Sequence, residues 1–350
     1  MKKTIAIVLA MLLLALCFAG CGDKDSNDSA PAGGASTSGV STAGLSGKDV
    51  FHEKMQIAFI PMSTAGQVTT IVQQAADTIM DTYDTVTITF FDAGFNPNTQ
   101  ITLINECITQ GYDAIVMECA DSTVVGPVIS EAEAAGIPVI TFNLGAEPVH
   151  TLHVKCDSYS GGWVSAEALI ARMGGKGNVL LLDVPAWQTA STTFCKGFED
   201  YMASYPDMKL LEYMNLPGNA QEDAYNAMRD LLTKYSEIDA VYAPDDNYGL
   251  GILQAIQEAG RTGDGILVWG TDVQPGGIDA ILAGDLAGSS WSDRYIAMYT
   301  AFSCAMYYAQ TGITAASLGL EETPSIYVNF VAITQDNIRD LLPLTRWPGY

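Results

Sequence analysis

The chain is short of positive charge. Its 350 residues hold 16 Lys and Arg against 40 Asp and Glu, a formal charge of -24. That balance argues against nucleic acid as a partner, which needs Lys and Arg to neutralise its phosphates. Histidine is rarer still, with only His52, His150 and His153. His150 and His153 stand three apart, nothing else completes a metal set, and surface or packing roles are expected for them. No cofactor and no metal is expected. No GxSxG elbow and no GxxxxGK loop occurs, which removes the usual hydrolase and phosphate-binding readings. Gly249-Leu250-Gly251 lacks the third glycine of a dinucleotide loop and follows an acidic turn. Asp245-Asp246 could be imagined as a catalytic pair, but strand-end carboxylates more often accept ligand hydrogen bonds or cap helices. The chain is therefore not expected to be an enzyme.

Long apolar runs are also scarce. The one near the start, Ile5 to Ala19, spans fifteen residues behind Met1-Lys2-Lys3. That is short for a membrane-spanning helix and suits a signal-peptide core, so residues 1–20 are expected to be removed. Phe18-Ala19-Gly20-Cys21 resembles a bacterial lipobox, with Phe where Leu is usual; Cys21 is the expected lipidated residue. Residues 21–50 read as a flexible linker, because Gly22 to Gly47 is rich in Ser, Gly, Ala, Thr and Asp and holds almost no large apolar side chain. Of seven cysteines, loss of Cys17 and use of Cys21 leave Cys107, Cys119, Cys156, Cys195 and Cys304. Their number is odd and their spacing irregular, so buried thiols are expected and no disulfide is assigned. The expected location is the outer face of the cytoplasmic membrane, or the periplasm.

What remains is rich in apolar residues, 48% of the chain, and regular from Met55 onward. Met55–Ile60 and Val86–Phe91 read as strands, separated by a helical pattern over 65–81. Asn96-Pro97-Asn98 opens a helix running to Gln110. Gly111–Glu118 and Gly136–Asn143 are short apolar runs around a helix predicted for Ser122–Ala135. Runs of this kind suit strands buried on both faces of a parallel sheet. In open parallel sheets ligands sit beyond the carboxyl ends of the strands, where Glu118, Asp121 and Asn143 fall. The same grammar repeats from Asp157 to Ala283, which implies a second lobe of similar build. A strand over 286–291, a long helix over 293–310, one strand over 325–333 and a helix over 335–342 follow, and these are the candidates for extra crossings between lobes. The remaining acids, such as Glu131, Glu133, Glu199 and Asp200, are expected on a solvated face.

Several motifs carry a family resemblance. Gly111-Tyr112-Asp113-Ala114-Ile115-Val116, Gly136-Ile137-Pro138-Val139-Ile140-Thr141, Cys156-Asp157-Ser158 with Gly161-Gly162, Lys196-Gly197-Phe198, Asp239 to Asp246 and Gly270-Thr271-Asp272 occur in order. With that order and spacing, residues 55–342 resemble the type I solute-binding proteins of bacterial sugar ABC importers, nearest the ribose- and galactose-binding group. The resemblance implies two Rossmann-like α/β lobes with parallel sheets, joined by a three-strand hinge. Residues 55–154 and 292–327 form the N-terminal lobe; residues 157–288 and 333–345 form the C-terminal lobe. Crossings are expected near 153–158, 287–293 and 327–334, and the lobes would close on ligand by hinge motion. A ligand that touched one lobe only would shift nothing.

The binding positions that the resemblance implies differ in kind from the family's. The loop after strand one, Met62 to Thr69 with Gly66, has no aromatic. The family's Asp-Arg pair appears as Asn143-Leu144. Its second-lobe Arg falls near Thr192, its stacking Phe near Asn219 and its Asn at Asp245. Asp272 is retained, and the Gln after the second crossing falls near Ser292. Asp92 closes the second strand. Trp187 and Trp291 lie near strand ends and could supply a stacking face, the alternative for each being a core role. With no arginine at these positions, an anionic ligand is disfavoured. Two acidic groups and no basic one also fit an amine. The expected role is capture of a small polar solute, most simply a sugar, by a monomer that serves an ABC permease. A nucleoside- or amine-binding transport protein, or a ligand sensor of the same fold feeding a membrane receptor, stays open.

Overall fold

The computed structural model describes residues 48–65, 68–183, 188–218 and 220–347. The signal-like run, Cys21, Gly66, Trp187 and Asn219 lie outside the described residues.

Twelve strands form two six-stranded sheets. The first contains β1 (Met55–Ile60), β2 (Val86–Phe90), β3 (Ala114–Met117), β4 (Val139–Phe142), β5 (Leu152–Cys156) and β11 (Ser325–Val328). Its order is β11-β5-β4-β3-β1-β2, and every pairing is parallel. The second contains β6 (Gly177–Asp183), β7 (Met208–Asn215), β8 (Ala240–Tyr242), β9 (Leu267–Thr271), β10 (Gly288–Trp291) and β12 (Val331–Ile333). Its order is β12-β10-β9-β8-β6-β7, parallel except where β12 runs against β10. Central strands such as β3, β4 and β8 are buried throughout, while the edge strands β7 and β11 are half-buried or exposed. That contrast follows from helices covering both faces.

In the first lobe these are α1 (Val68–Thr82), α2 (Pro97–Gln110), α3 (Gly126–Ala134), α9 (Arg294–Thr311) and the short α10 (Ala315–Leu318). In the second they are α4 (Ser158–Met173), α5 (Gln188–Met202), α6 (Gln221–Lys234), α7 (Asp246–Glu258), α8 (Pro275–Ala283) and α11 (Ile338–Thr345). Local chemistry sets their ends. Asn96 caps α2 through its side chain, Pro97 follows in the first turn, and Gly111 at φ 71° ends the helix. The α4–α5 contact depends on glycine: a Cβ on Gly162 would lie 1.8 Å from the Phe194 carbonyl oxygen, and one on Gly197 2.2 Å from that of Tyr159. Larger residues there would force the helices apart.

The chain passes between lobes three times: after β5, after β10 and between β11 and β12. The α/β architecture read from the sequence is therefore present. Three readings are corrected. The strand predicted over 325–333 is two strands in different sheets, because Phe330 turns inward onto Phe194 with ring centroids 5.1 Å apart. The first crossing, expected near 153–158, is largely strand: β5 runs Leu152–Cys156 in the first sheet, and the chain leaves the lobe after it. Glu133 is buried, not solvated: its carboxylate accepts from the backbone N–H groups of Val139, Thr151 and Ala315 and from the Thr151 hydroxyl. It fastens α3 to β4, β5 and the start of α10.

His150 and His153 have packing roles. Thr141 Oγ1 lies 2.7 Å from His150 Nε2 and 2.7 Å from His153 Nδ1. His150 Nδ1 lies 2.8 Å from the Pro148 carbonyl oxygen, so it carries the proton. Its Nε2 then accepts from Thr141, and His153 Nδ1–H donates to the same hydroxyl oxygen. Burial holds both rings neutral, with the His153 pKa pushed down to about 4.

Candidate functional site

In both sheets the chain leaves its first strand on one side and returns on the other, β2 and β3 flanking β1, β7 and β8 flanking β6. Such reversals open a crevice at the carboxyl ends. Polar residues collect there: Asp92 after β2, Glu118 after β3 and Asn143 after β4 in one lobe, and Asp183, Asp245 and Asp272 at or after β6, β8 and β9 in the other.

Backbone strain marks the same places. Phe95, Asn143, Asp272 and Val273 adopt φ of 58°, 56°, 88° and 52°, and each lies just beyond a strand's carboxyl end. Asn tolerates this region, but a β-branched Val does not adopt it without support. Each such residue costs about 1–3 kcal/mol and persists only where its surroundings hold it. Asp272 N–H donates to Ser290 O at 2.8 Å, and Val273 N–H to Ser289 Oγ at 3.2 Å.

A polar chain links the lobes. Asn143 Nδ2 donates to Glu118 Oε1 at 2.7 Å. Arg294, in the first turn of α9 directly after the second crossing, donates through Nη2 to Asp272 Oδ1 at 3.2 Å. Glu118 also feels the Arg294 charge: burial raises the Glu118 pKa, and the Asn143 hydrogen bond and then Arg294 draw it part of the way back. First-lobe and second-lobe acceptors thus face one shared cation. This corrects the expectation of acidic groups without a basic one. The signal lay in the sequence, for Arg294 is the only Lys or Arg between Arg261 and Arg339. It also sits where a helix dipole disfavours positive charge, so a local structural role does not account for it.

Asp245 and Asp246 differ in role. Asp245 is 2% exposed; its Oδ1 accepts from Asn247 N–H at 2.7 Å, capping α7, and its Oδ2 accepts from Gln274 Nε2 at 2.9 Å. Burial, then the Asp272 charge, push its pKa up to about 7. Asp246 is sealed in lobe 2, accepting from Ser289 Oγ and from Gln274 N–H, each at 2.7 Å. A Cβ on Gly270 or Gly277 would fall 2.2 Å from one of its carboxylate oxygens, so Asp246 holds β9, β10 and α8 together.

The other expected residues divide. Thr192 donates to Asp183 at 2.9 Å, and Asp183 also accepts from Ser191 and Tyr213, so the Thr192 hydroxyl is engaged within its own lobe. Asp92 is exposed and binds Thr64 and the Gly94 N–H; these contacts hold its carboxyl below the usual range and join the loops after β1 and β2. Met62 belongs to the same pair of loops, its carbonyl accepting from Phe95 N–H at 2.7 Å. Trp291 is 8% exposed in the apolar cluster, which leaves little open face for stacking. Ser292, at the crossing, is 2% exposed, and its hydroxyl is the one buried side-chain polar atom among the described residues without a partner. A buried hydroxyl with no partner calls for an incoming one. Among the described residues no group of three or more His, Cys, Asp or Glu could hold a metal ion. Burial pushes the Cys107 and Cys119 thiols up to about 12, so neither is a ready nucleophile.

Two lobes hinged by three crossings, with donors and acceptors meeting at their strand ends, define a solute-binding protein of the venus-flytrap kind. The periplasmic binding protein domain family matches residues 57–313, and the chain belongs to that family. It is 30% identical over 264 residues to the xylitol-binding protein of Mycolicibacterium smegmatis, covering 74% of this chain and 72% of that one. It is 26% identical to the D-apiose import binding protein of Paraburkholderia graminis, over 66% of this chain and 73% of the relative. Among solved structures, the periplasmic ribose ABC transporter protein of Conexibacter woesei superposes with a TM-score of 0.73 at 18% identity, covering 83% of this chain and 95% of the other. A myo-inositol-bound solute-binding protein of Bacillus halodurans gives 0.70 at 20% identity, over 82% and 97%. At those identities the structures speak to fold, which is the type I periplasmic binding protein fold.

Proposed function

We propose that this protein captures an uncharged polyhydroxylated solute, a polyol or a small sugar, between its lobes and delivers it to an ABC permease. The observation that carries the reading is Arg294, which donates to Asp272 of one lobe and whose charge is felt by Glu118, the partner of Asn143, in the other. Fixed donors next to fixed acceptors match neighbouring hydroxyl groups, each of which donates and accepts. Arg294 already neutralises Asp272, which weakens the attraction for an amine. The xylitol-binding relative supports the polyol class. Asn143, Asp245, Asp272 and Ser292 are proposed ligand contacts, with Asp92 and Met62 at the rim.

A thermal-shift screen of xylitol, ribitol, myo-inositol, D-ribose, D-apiose, adenosine and spermidine tests this. A neutral polyol or sugar is expected to raise the melting temperature, since ligand at about 100 times Kd adds about 2.7 kcal/mol to the native state. Hits confined to spermidine or adenosine would remove the reading. With the best hit, Asp272→Ala and Asp245→Ala should each weaken binding by about 1–3 kcal/mol in calorimetry, the cost of a lost partner in a closed cleft.

Cys21 is proposed to carry the lipid that holds the folded part at the membrane surface through the linker that follows it. Cys21→Ser is expected to move the protein from the membrane to the soluble fraction on cell fractionation. Retention at the membrane would rule out this anchor.

A further inference from the structure

Residues just past α11 touch both lobes. Past α11, Arg346 turns with φ 57°, and its guanidinium lies 3.5 Å from the centroid of the Tyr295 ring, at the start of α9. The Arg346 carbonyl oxygen accepts from Gln74 Nε2 on α1 at 3.4 Å. Tyr295 is itself tied to α1, its hydroxyl donating to Thr78 Oγ1 at 2.9 Å. The next residue, Trp347, is 5% exposed, and its indole N–H donates to the Val273 carbonyl oxygen at 2.8 Å. These contacts are specific in place. Tyr295 and Val273 are the chain neighbours of Arg294 and Asp272, the two partners of the inter-lobe ion pair. Val273 is also the residue whose left-handed backbone most needs external support.

We propose that Arg346–Trp347 is a positioning strap. Through Trp347 it holds the strained Asp272–Val273 turn, and through Arg346 it ties the second lobe to α1 and α9 of the first. It presets the Arg294–Asp272 pair and the resting angle of the hinge, and so sets part of the ligand affinity without touching ligand. A cation stacked on a tyrosine ring suits such a tether, because it slides over the ring face as the lobes rotate. The strap does not depend on which solute binds, so its test can be read without ligand.

The test uses the mature chain with four variants: Trp347→Phe, which keeps the ring and removes the N–H, Trp347→Ala, Arg346→Ala and the conservative Arg346→Lys. Hydrogen exchange is followed in the segment 270–275. Inter-lobe distances are read by spin labels at Asn105→Cys on α2 and Gln254→Cys on α7, in a Cys304→Ser background. Trp347→Phe should speed exchange of the Asp272 and Val273 amides by about tenfold, the effect of one lost hydrogen bond, while distant segments keep their rates. Arg346→Ala should broaden or shift the distance distribution, and Arg346→Lys should restore it. If Trp347→Ala fails to fold, Trp347→Phe still decides the first arm. Unchanged exchange in Trp347→Phe together with unchanged distances in Arg346→Ala would overturn the strap. So would faster exchange spread evenly over all segments, which marks a merely stabilising contact. Because both readouts are taken without ligand, failure of the polyol reading leaves them intact.

Discussion

Arg294→Ala is expected to weaken solute binding by about 100-fold or more while the fold survives. Truncating one partner of a hydrogen-bonded charge pair that the closing lobes desolvate typically costs about 2–5 kcal/mol of affinity, much of it from the charge left behind. Here two carboxylates would be left, Asp272 in direct contact and Glu118 within the same field. A loss of about 100-fold or more in affinity is therefore expected by calorimetry with the best hit of the screen. Arg294→Lys should recover only part of it, because a point charge cannot hold two neighbouring hydroxyls in a forked geometry. Unfolding midpoints should stay close to wild type, since the side chain is partly exposed at the crossing. Wild-type affinity in Arg294→Ala would remove this residue from the site.

Asp245→Asn is expected to stabilise the protein at pH 8 and scarcely at all near pH 4. The Asp245 carboxyl has an ordinary value of 3.8 and is raised to about 7 in the fold by burial and by Asp272. Below about pH 4 both folded and unfolded chains hold the proton, and there is no penalty. Between about 4 and 7 the unfolded chain releases it while the folded chain keeps it, so stability falls as pH rises. Above 7 the full penalty stands, about 2–4 kcal/mol for a shift of this size after relaxation. His150 and His153, held neutral by burial, tilt the wild-type curve the opposite way on the acid side of 6.5. The difference between variant and wild type isolates Asp245. Urea unfolding at pH 5 and pH 8 should show a gain for the variant that grows with pH; a gain that is absent, or larger at pH 5, would contradict the assignment. A stabilising substitution at a ligand contact is the usual mark of a site kept at some expense to the fold.

How far the sequence could be read follows from the signals each segment carries. β3 and β4 were legible because unbroken apolar runs end abruptly in Glu118 and Asn143, and their full burial explains the pattern. β5 was not, because Leu152-His153-Val154-Lys155-Cys156 alternates and one face carries the histidine that bonds Thr141. The break between β11 and β12 left no local mark, since Phe330 is as good a strand residue as a hinge residue until Phe194 is known to face it. Glu133 lies on a helix among other acids, and only tertiary contact with the Thr151 and Ala315 amides reveals it as a buried hub. At the site, Asp272 and Asn143 were legible as strand-end residues. Arg294 lies outside the binding positions that the family resemblance brings forward, and at those positions arginine is absent. An isolated basic residue at the start of a helix in an acidic chain was the available signal.

The most direct test of the central claim is a crystal structure of the protein with the best neutral hit from the screen. Ligand hydroxyls are expected within hydrogen-bond distance of Arg294 and Asp272 from one side and of Asn143 or Glu118 from the other, with the lobes closed over them. A solute bound wholly within one lobe, with the Arg294–Asp272 pair untouched, would contradict it.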